Sequence, residues 1–224
     1  MMSKLLSFVK LDFITIKPYM TMKNLWIYVL TMAFMAFSTQ SATSVASMIL
    51  MIASLHVIYP FALGEKSNID AFYITLSIPR RIVVYGRYLF VLCLDVCALL
   101  IGFLIALILS PLFKENLNET LLPIFVVFLL FTIIQLIQLP IYFALGYTKA
   151  KVFVMLPYVL LFVLFMLSTH IIESLPAVAD FLEEIPAMFV QHKIAVVLLC
   201  VGIWSFLLLV STAISTRSYQ KKEF

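Results

Sequence analysis

Six runs of apolar residues, each long enough to cross a bilayer, follow one another down this chain of 224 residues. A spanning helix needs about 20 mostly apolar residues. Lipid offers the backbone no hydrogen-bond partner, so such runs fold as helices rather than irregular chain. The expected spans are 24–41, 43–63, 87–112, 120–147, 152–172 and 193–214. Only 12% of the residues are charged, where a water-soluble domain carries about 25%. The fold class that follows is all-α: a polytopic membrane protein forming a single transmembrane domain over 1–224. The sequence shows no internal repeat and no separate soluble domain.

Orientation follows from the basic residues. With the N-terminus in the cytoplasm, 13 of the 15 Lys and Arg fall inside, and only Lys114 and Lys193 fall outside. That is the asymmetry the positive-inside rule describes. Glu115, Glu119, Glu173, Asp180, Glu183 and Glu184 lie on the outer side. Six spans then leave both termini inside, including the basic tail at 215–224.

Residues 1–23 read as an interfacial helix. Leu5, Phe8, Val9, Asp12, Phe13 and Ile16 follow helical spacing, and only Asp12 breaks the apolar face. Lys4, Lys10 and Lys17 lie mostly off it, the pattern of a basic helix lying in the membrane interface. The other reading extends the first span, and Lys17-Pro18 argues for a break instead. The same charges leave no continuous apolar core for a cleavable signal peptide. The outer connector, 173–192, holds a short helical piece bracketed by Pro176 and Pro186.

Motifs for chemistry in this chain are lacking. There is no GxxxxGK[ST] phosphate loop and no HExxH, and no GxSxG. Cys93, Cys97 and Cys200 lie in apolar runs and read as small buried hydrophobes. No metal site and no enzyme activity is expected. Asp95 is the one acidic residue deep within a span, and such a group is expensive in lipid. An ion or proton site is one reading. A structural pairing with Arg87, or with another subunit, is the other. Gln135 and Gln138 share a face of the fourth span, either as hydrogen-bonding glue between helices or, with Asp95, as a translocation path.

The segment 64–86 is more than a connector. In it Ile69, Phe72, Tyr73 and Leu76 fall at i, i+3, i+4, i+7, one apolar stripe on a short helix. Pro79 ends that helix, because the residue before a proline is pushed out of the helical region. Arg80 and Arg81 follow, and a new helix leads into the third span. Two exposed aromatics on a helix tethered at both ends suit docking into a groove on a partner. Burial of the stripe in the bilayer interface is the competing reading.

The stretch "FALGEKSNIDAFYITLSIPRRIVVYGRYLF" resembles the first cytoplasmic loop of membrane subunits of ABC type-2 exporters. Glu65 and Lys66 match an acidic-Lys pair, Phe72 and Tyr73 an aromatic helix. Leu76, Pro79, Arg81, Val84, Arg87 and Tyr88 approximate the element leading into the third span. Ser77 and Ile78 separate Leu76 from Pro79, and Gly64 replaces an acidic residue before Glu65. In size and layout the chain is similar to permeases that export phenol-soluble modulins or lantibiotic-type peptides in Gram-positive bacteria. The resemblance implies a permease of the bacterial cytoplasmic membrane, paired with a second copy or a paralogue and with two separate ATPase subunits. Those subunits would hold the ATP and Mg; this chain would hold no cofactor and bind no nucleic acid. Glu65, Lys66, Ile69, Asp70, Phe72, Tyr73, Leu76, Pro79, Arg80 and Arg81 would face the ATPase. Amphipathic peptide is the implied substrate, with drug or lipid export as variants. A secondary transporter or membrane scaffold without an ATPase is the alternative from another class.

Overall fold

The computed structural model describes residues 2–75, 78–174 and 193–222. These residues form helices and their connections, with no strand among them. Helix α1 (Met2–Ile16) ends in a 3-10 turn, Lys17–Tyr19, whose Pro18 has no N–H to continue the ladder. Helix α2 (Met22–Thr39) then sets off at 80° to the preceding segment. Asn24 fastens that corner, its side-chain amide donating to the Tyr19 carbonyl at 2.7 Å.

Helix α3 (Ala42–His56) returns and is continued, after a two-residue offset, by α4 (Tyr59–Lys66). A turn with Asn68 in the left-handed region leads to the short α5 (Ile69–Thr75). Helices α6 (Arg80–Phe113), α7 (Leu117–Leu145), α8 (Tyr147–Ser174) and α9 (Lys193–Lys221) complete the bundle. With 34 residues, α6 is about 51 Å long at 1.5 Å per residue. It therefore runs well past a hydrocarbon core of about 30 Å.

Four helices are long and apolar enough to cross a membrane: Ala42–Lys66 (α3 with α4), Arg80–Phe113, Glu119–Leu145 and Val197–Lys221. A fifth is added if Leu5–Tyr19 and Met22–Thr39 are one bent span. Among the described residues four or five of the six expected spans therefore qualify. Lys23 and Asn24 dilute the first turn of α2, so α2 does not qualify without α1. The expected fifth span coincides with α8, part of whose side chains lies outside the described residues, as does the connector 175–192.

Between lipid-facing helices no hydrophobic force favours association, so close van der Waals approach must supply it. Ala98, Gly102 and Ala106 lie four apart on α6 and meet Ala46 and Leu50 of α3. A Cβ on Gly102 would sit 3.5 Å from that of Ala46. At the far end of the bundle the two interhelix turns lock together. The Glu115 carboxylate accepts from the Ala42 N–H at 3.0 Å, capping α3.

The near end holds the main core. Phe8, Val9 and Ile16 of α1 pack with Val83, Phe90 and Val91 of α6. Gly86 permits this approach, since a Cβ there would lie 2.7 Å from the Phe8 Cβ. Beside it, Arg87 and Asp12 form an ion pair at 3.3 Å, each side chain about 5% exposed or less. The contact satisfies ion-pair distance without hydrogen-bond geometry. The Arg87 guanidinium also lies 4.6 Å from the Phe61 ring centre, a cation–π contact. Arg87 is thus bound to α1, not to Asp95.

Two predictions follow from this contact. Arg87→Met leaves the Asp12 charge buried without a partner and costs about 3–5 kcal/mol. Asp12→Leu combined with Arg87→Met recovers most of that loss, read as melting temperature in detergent. No recovery in the double variant means the pair does not hold α1. Gly86→Ala overpacks the α1–α6 contact by about 1–3 kcal/mol. Gly202→Ala, in the interior of α9 with nothing among the described residues within 4 Å, leaves the melting temperature the same or higher.

Candidate functional site

The near end gathers α1, the α4–α5 hairpin, the start of α6, the α7–α8 turn and the last turns of α9. Several apolar positions of this end turn inward. Tyr73 is 5% exposed, edge-on to Phe8 at 4.9 Å between ring centres. Ile69 and Ile78 pack on the same core. The expectation of two exposed aromatics is therefore corrected at Tyr73: neither a partner nor lipid covers it, but α1 of the same chain. The Phe72 side chain, and Leu76 and Ser77, lie outside the described residues.

The charged residues of the segment divide into two sets. Glu65 accepts from the Thr148 N–H at 3.1 Å, so it caps α8. The neighbouring Gly146 has φ +75°, and a Cβ there would meet the Glu65 carboxylate at 2.9 Å. Asp70 accepts from the Tyr219 hydroxyl at 2.9 Å. Arg80 donates to the carbonyls of Tyr219 (3.3 Å), Gln220 (2.5 Å) and Lys222 (2.9 Å). These are among the carbonyls that a helix C-terminus leaves unpaired. Its cation also opposes the negative end of the helix dipole. Lys66, Pro79 and Arg81 are exposed, as Glu65 is. With Asn68 and Thr75 they form the polar rim of the hairpin. Lys10, Lys17, Lys23, Lys149, Lys151 and Lys221 are exposed at the same end.

Inside the bundle the polar side chains are paired across helices. Gln135 of α7 donates to the Asp95 carboxyl of α6 at 2.9 Å. Gln138, three residues on, donates instead to the Val154 carbonyl of α8 at 3.0 Å. The three residues of the expected path are thus split between two seams, and each is at most 4% exposed. The Tyr88 hydroxyl meets Ser211 and Ser215 of α9 at 2.5 and 2.7 Å. Ser211 donates to the Leu136 carbonyl at 2.5 Å, and Trp204 to Thr132 at 3.1 Å.

A wide apolar groove of about 520 Å³ runs along α7, with Pro157 and Leu160 of α8 on one wall and Val197, Cys200 and Ile203 of α9 on the other. Its floor includes Leu129, Ile133 and Ile137.

Sequence reasoning did not identify Tyr219, Ser211 and Ser215 as contact residues. Tyr219 lies in a basic tail whose pattern says nothing of a distant aspartate. Asp12 was visible as the one polar break in an apolar stripe, a signal that a buried partner existed but not which.

No curated protein and no solved structure matches the chain. The family model described as ABC-2 family transporter protein matches residues 7–220, from α1 to the last turn of α9. The chain belongs to this family of multi-pass membrane permeases.

Proposed function

We propose that this chain is the permease subunit of an ATP-driven exporter of amphipathic peptides, working as a pair with a second copy or a paralogue and with two ATPase subunits. Its near end then faces the cytoplasm, with both termini, and α2 and α8 complete a six-span topology. The observation that carries the reading is the joint packing of the α4–α5 hairpin with α1, α6 and the end of α9. Tyr73 packs on Phe8, Asp70 bonds Tyr219, and Arg80 caps α9. A push on the hairpin would therefore reach helices at both ends of the chain.

In this reading the coupling surface is the polar rim of the hairpin rather than the apolar stripe. Lys66, Asn68, Pro79 and Arg81 meet the ATPase, while Glu65, Ile69, Asp70, Tyr73 and Arg80 transmit the movement inward. The family resemblance assigns Phe72 and Leu76 to the ATPase contact as well. ATP and Mg are held by the partner subunits. The groove along α7 offers the apolar face of an amphipathic peptide a place to lie, opening sideways toward lipid.

Two measurements test this reading. Lys66→Glu with Arg81→Glu inserts normally and weakens co-purification of the ATPase by about tenfold, or about 1.4 kcal/mol. Unchanged binding rules out the rim as the docking surface. Tyr219→Phe retains ATPase binding and loses substrate-stimulated ATP hydrolysis in lipid. If stimulation persists, the hairpin does not act through α9.

A further inference from the structure

We propose that Asp95 and Gln135 form a proton-binding site at the α6–α7 seam, in which a neutral Asp95 carboxylic acid and the Gln135 amide close a ring of two hydrogen bonds. One bond of that ring is in place, the Gln135 amide nitrogen donating to one Asp95 oxygen at 2.9 Å. The second Asp95 oxygen and the Gln135 oxygen are both buried, and neither has a hydrogen-bond partner among the described residues. Two acceptors left over from one carboxyl–amide contact are satisfied together by a single proton. It sits on the second carboxyl oxygen and is donated to the amide oxygen.

The surroundings favour a proton over a hydrated ion. The seam is lined by Tyr88, Leu92, Thr132, Leu136, Leu139 and Trp204, besides Val91 and the pair itself. None is Lys, Arg or His. Tyr88 is the one other titratable group there, and its hydroxyl is taken by Ser211 and Ser215 of α9. Arg87 lies eight residues away, about 12 Å along the helix, and is paired with Asp12 of α1. From α3, His56 bonds the Ile52 carbonyl and Tyr28, and lines a groove beside Leu94 and Cys97. Among the described residues an ionised Asp95 would therefore be a buried charge without a counter-charge, which costs far more than a neutral acid. The seam has no room for a water molecule, so a hydrated metal ion does not fit between the two oxygens, whereas a proton does.

The site stands whether or not an ATPase drives the chain. The test is infrared spectroscopy of the full-length protein in lipid at neutral pH, taken as a difference between the natural chain and Asp95→Asn. The expected result is a protonated-carboxyl C=O band present in the natural chain and lost in the variant. In Gln135→Leu that band moves to higher wavenumber, because the amide no longer bonds the acid. If Asp95→Asn does not fold, Gln135→Leu alone decides through that shift. A difference confined to the carboxylate bands, or a carboxyl band unmoved by Gln135→Leu, overturns the proposal.

Discussion

The near end of the bundle depends on one buried ion pair, Asp12 with Arg87. Desolvating two charges costs several kcal/mol per ion, and their attraction offsets this only when other groups share the load. Here the Phe61 ring face lies over the guanidinium. Gly86, one residue away, lets α1 come close enough for Asp12 to reach. Without α1, Arg87 would lose its ion-pair partner. With α1 in place, Phe8 becomes the surface on which Tyr73 rests, and α5 acquires a fixed position. Asp70 then meets Tyr219, and the end of α9 is secured to the same block. Each contact presupposes the one before it.

Much of the fold was legible because its causes are local. Length and apolarity announced the spans, Pro18 placed the end of α1, and the arginines after Pro79 marked the start of α6. The first span was less legible. Lys23 and Asn24 lower the apolarity of α2 just enough that it qualifies only with α1, and a reading by eye does not weigh them. The direction of the Ile69–Tyr73 stripe was not legible at all. An apolar stripe on a short helix looks the same whether lipid, a partner or the chain's own N-terminus covers it. Glu65 and Arg80 were seen as charges fit for a partner, but helix ends elsewhere in the chain have first claim on them. Such long-range caps leave no trace in spacing, since the helix terminus that needs the charge lies 82 residues or more away for Glu65 and about 140 for Arg80.

The interior polar groups show how the bundle is tied. Two turns of α7, from Thr132 to Gln138, reach three neighbouring helices: α9 through Thr132 and the Leu136 carbonyl, α6 through Gln135, and α8 through Gln138. In lipid each such bond contributes on the order of 0.6 kcal/mol, at most about 1.7. Their strength is modest, but their placement is specific. The opposite face of the same turns, Leu130, Ile133 and Ile137, lines the apolar groove between α8 and α9. Widening that groove by moving α8 alone strains the Gln138, Ser54–Tyr158 and Glu65 bonds, whereas moving α9 breaks the Trp204 and Ser211 bonds to α7 together with those of Tyr88 and Asp70 to α9. The easier path for opening the groove is therefore a shift of α8 away from a fixed α6–α7–α9 unit. Glu65, which caps α8 from the hairpin, is placed to govern that shift.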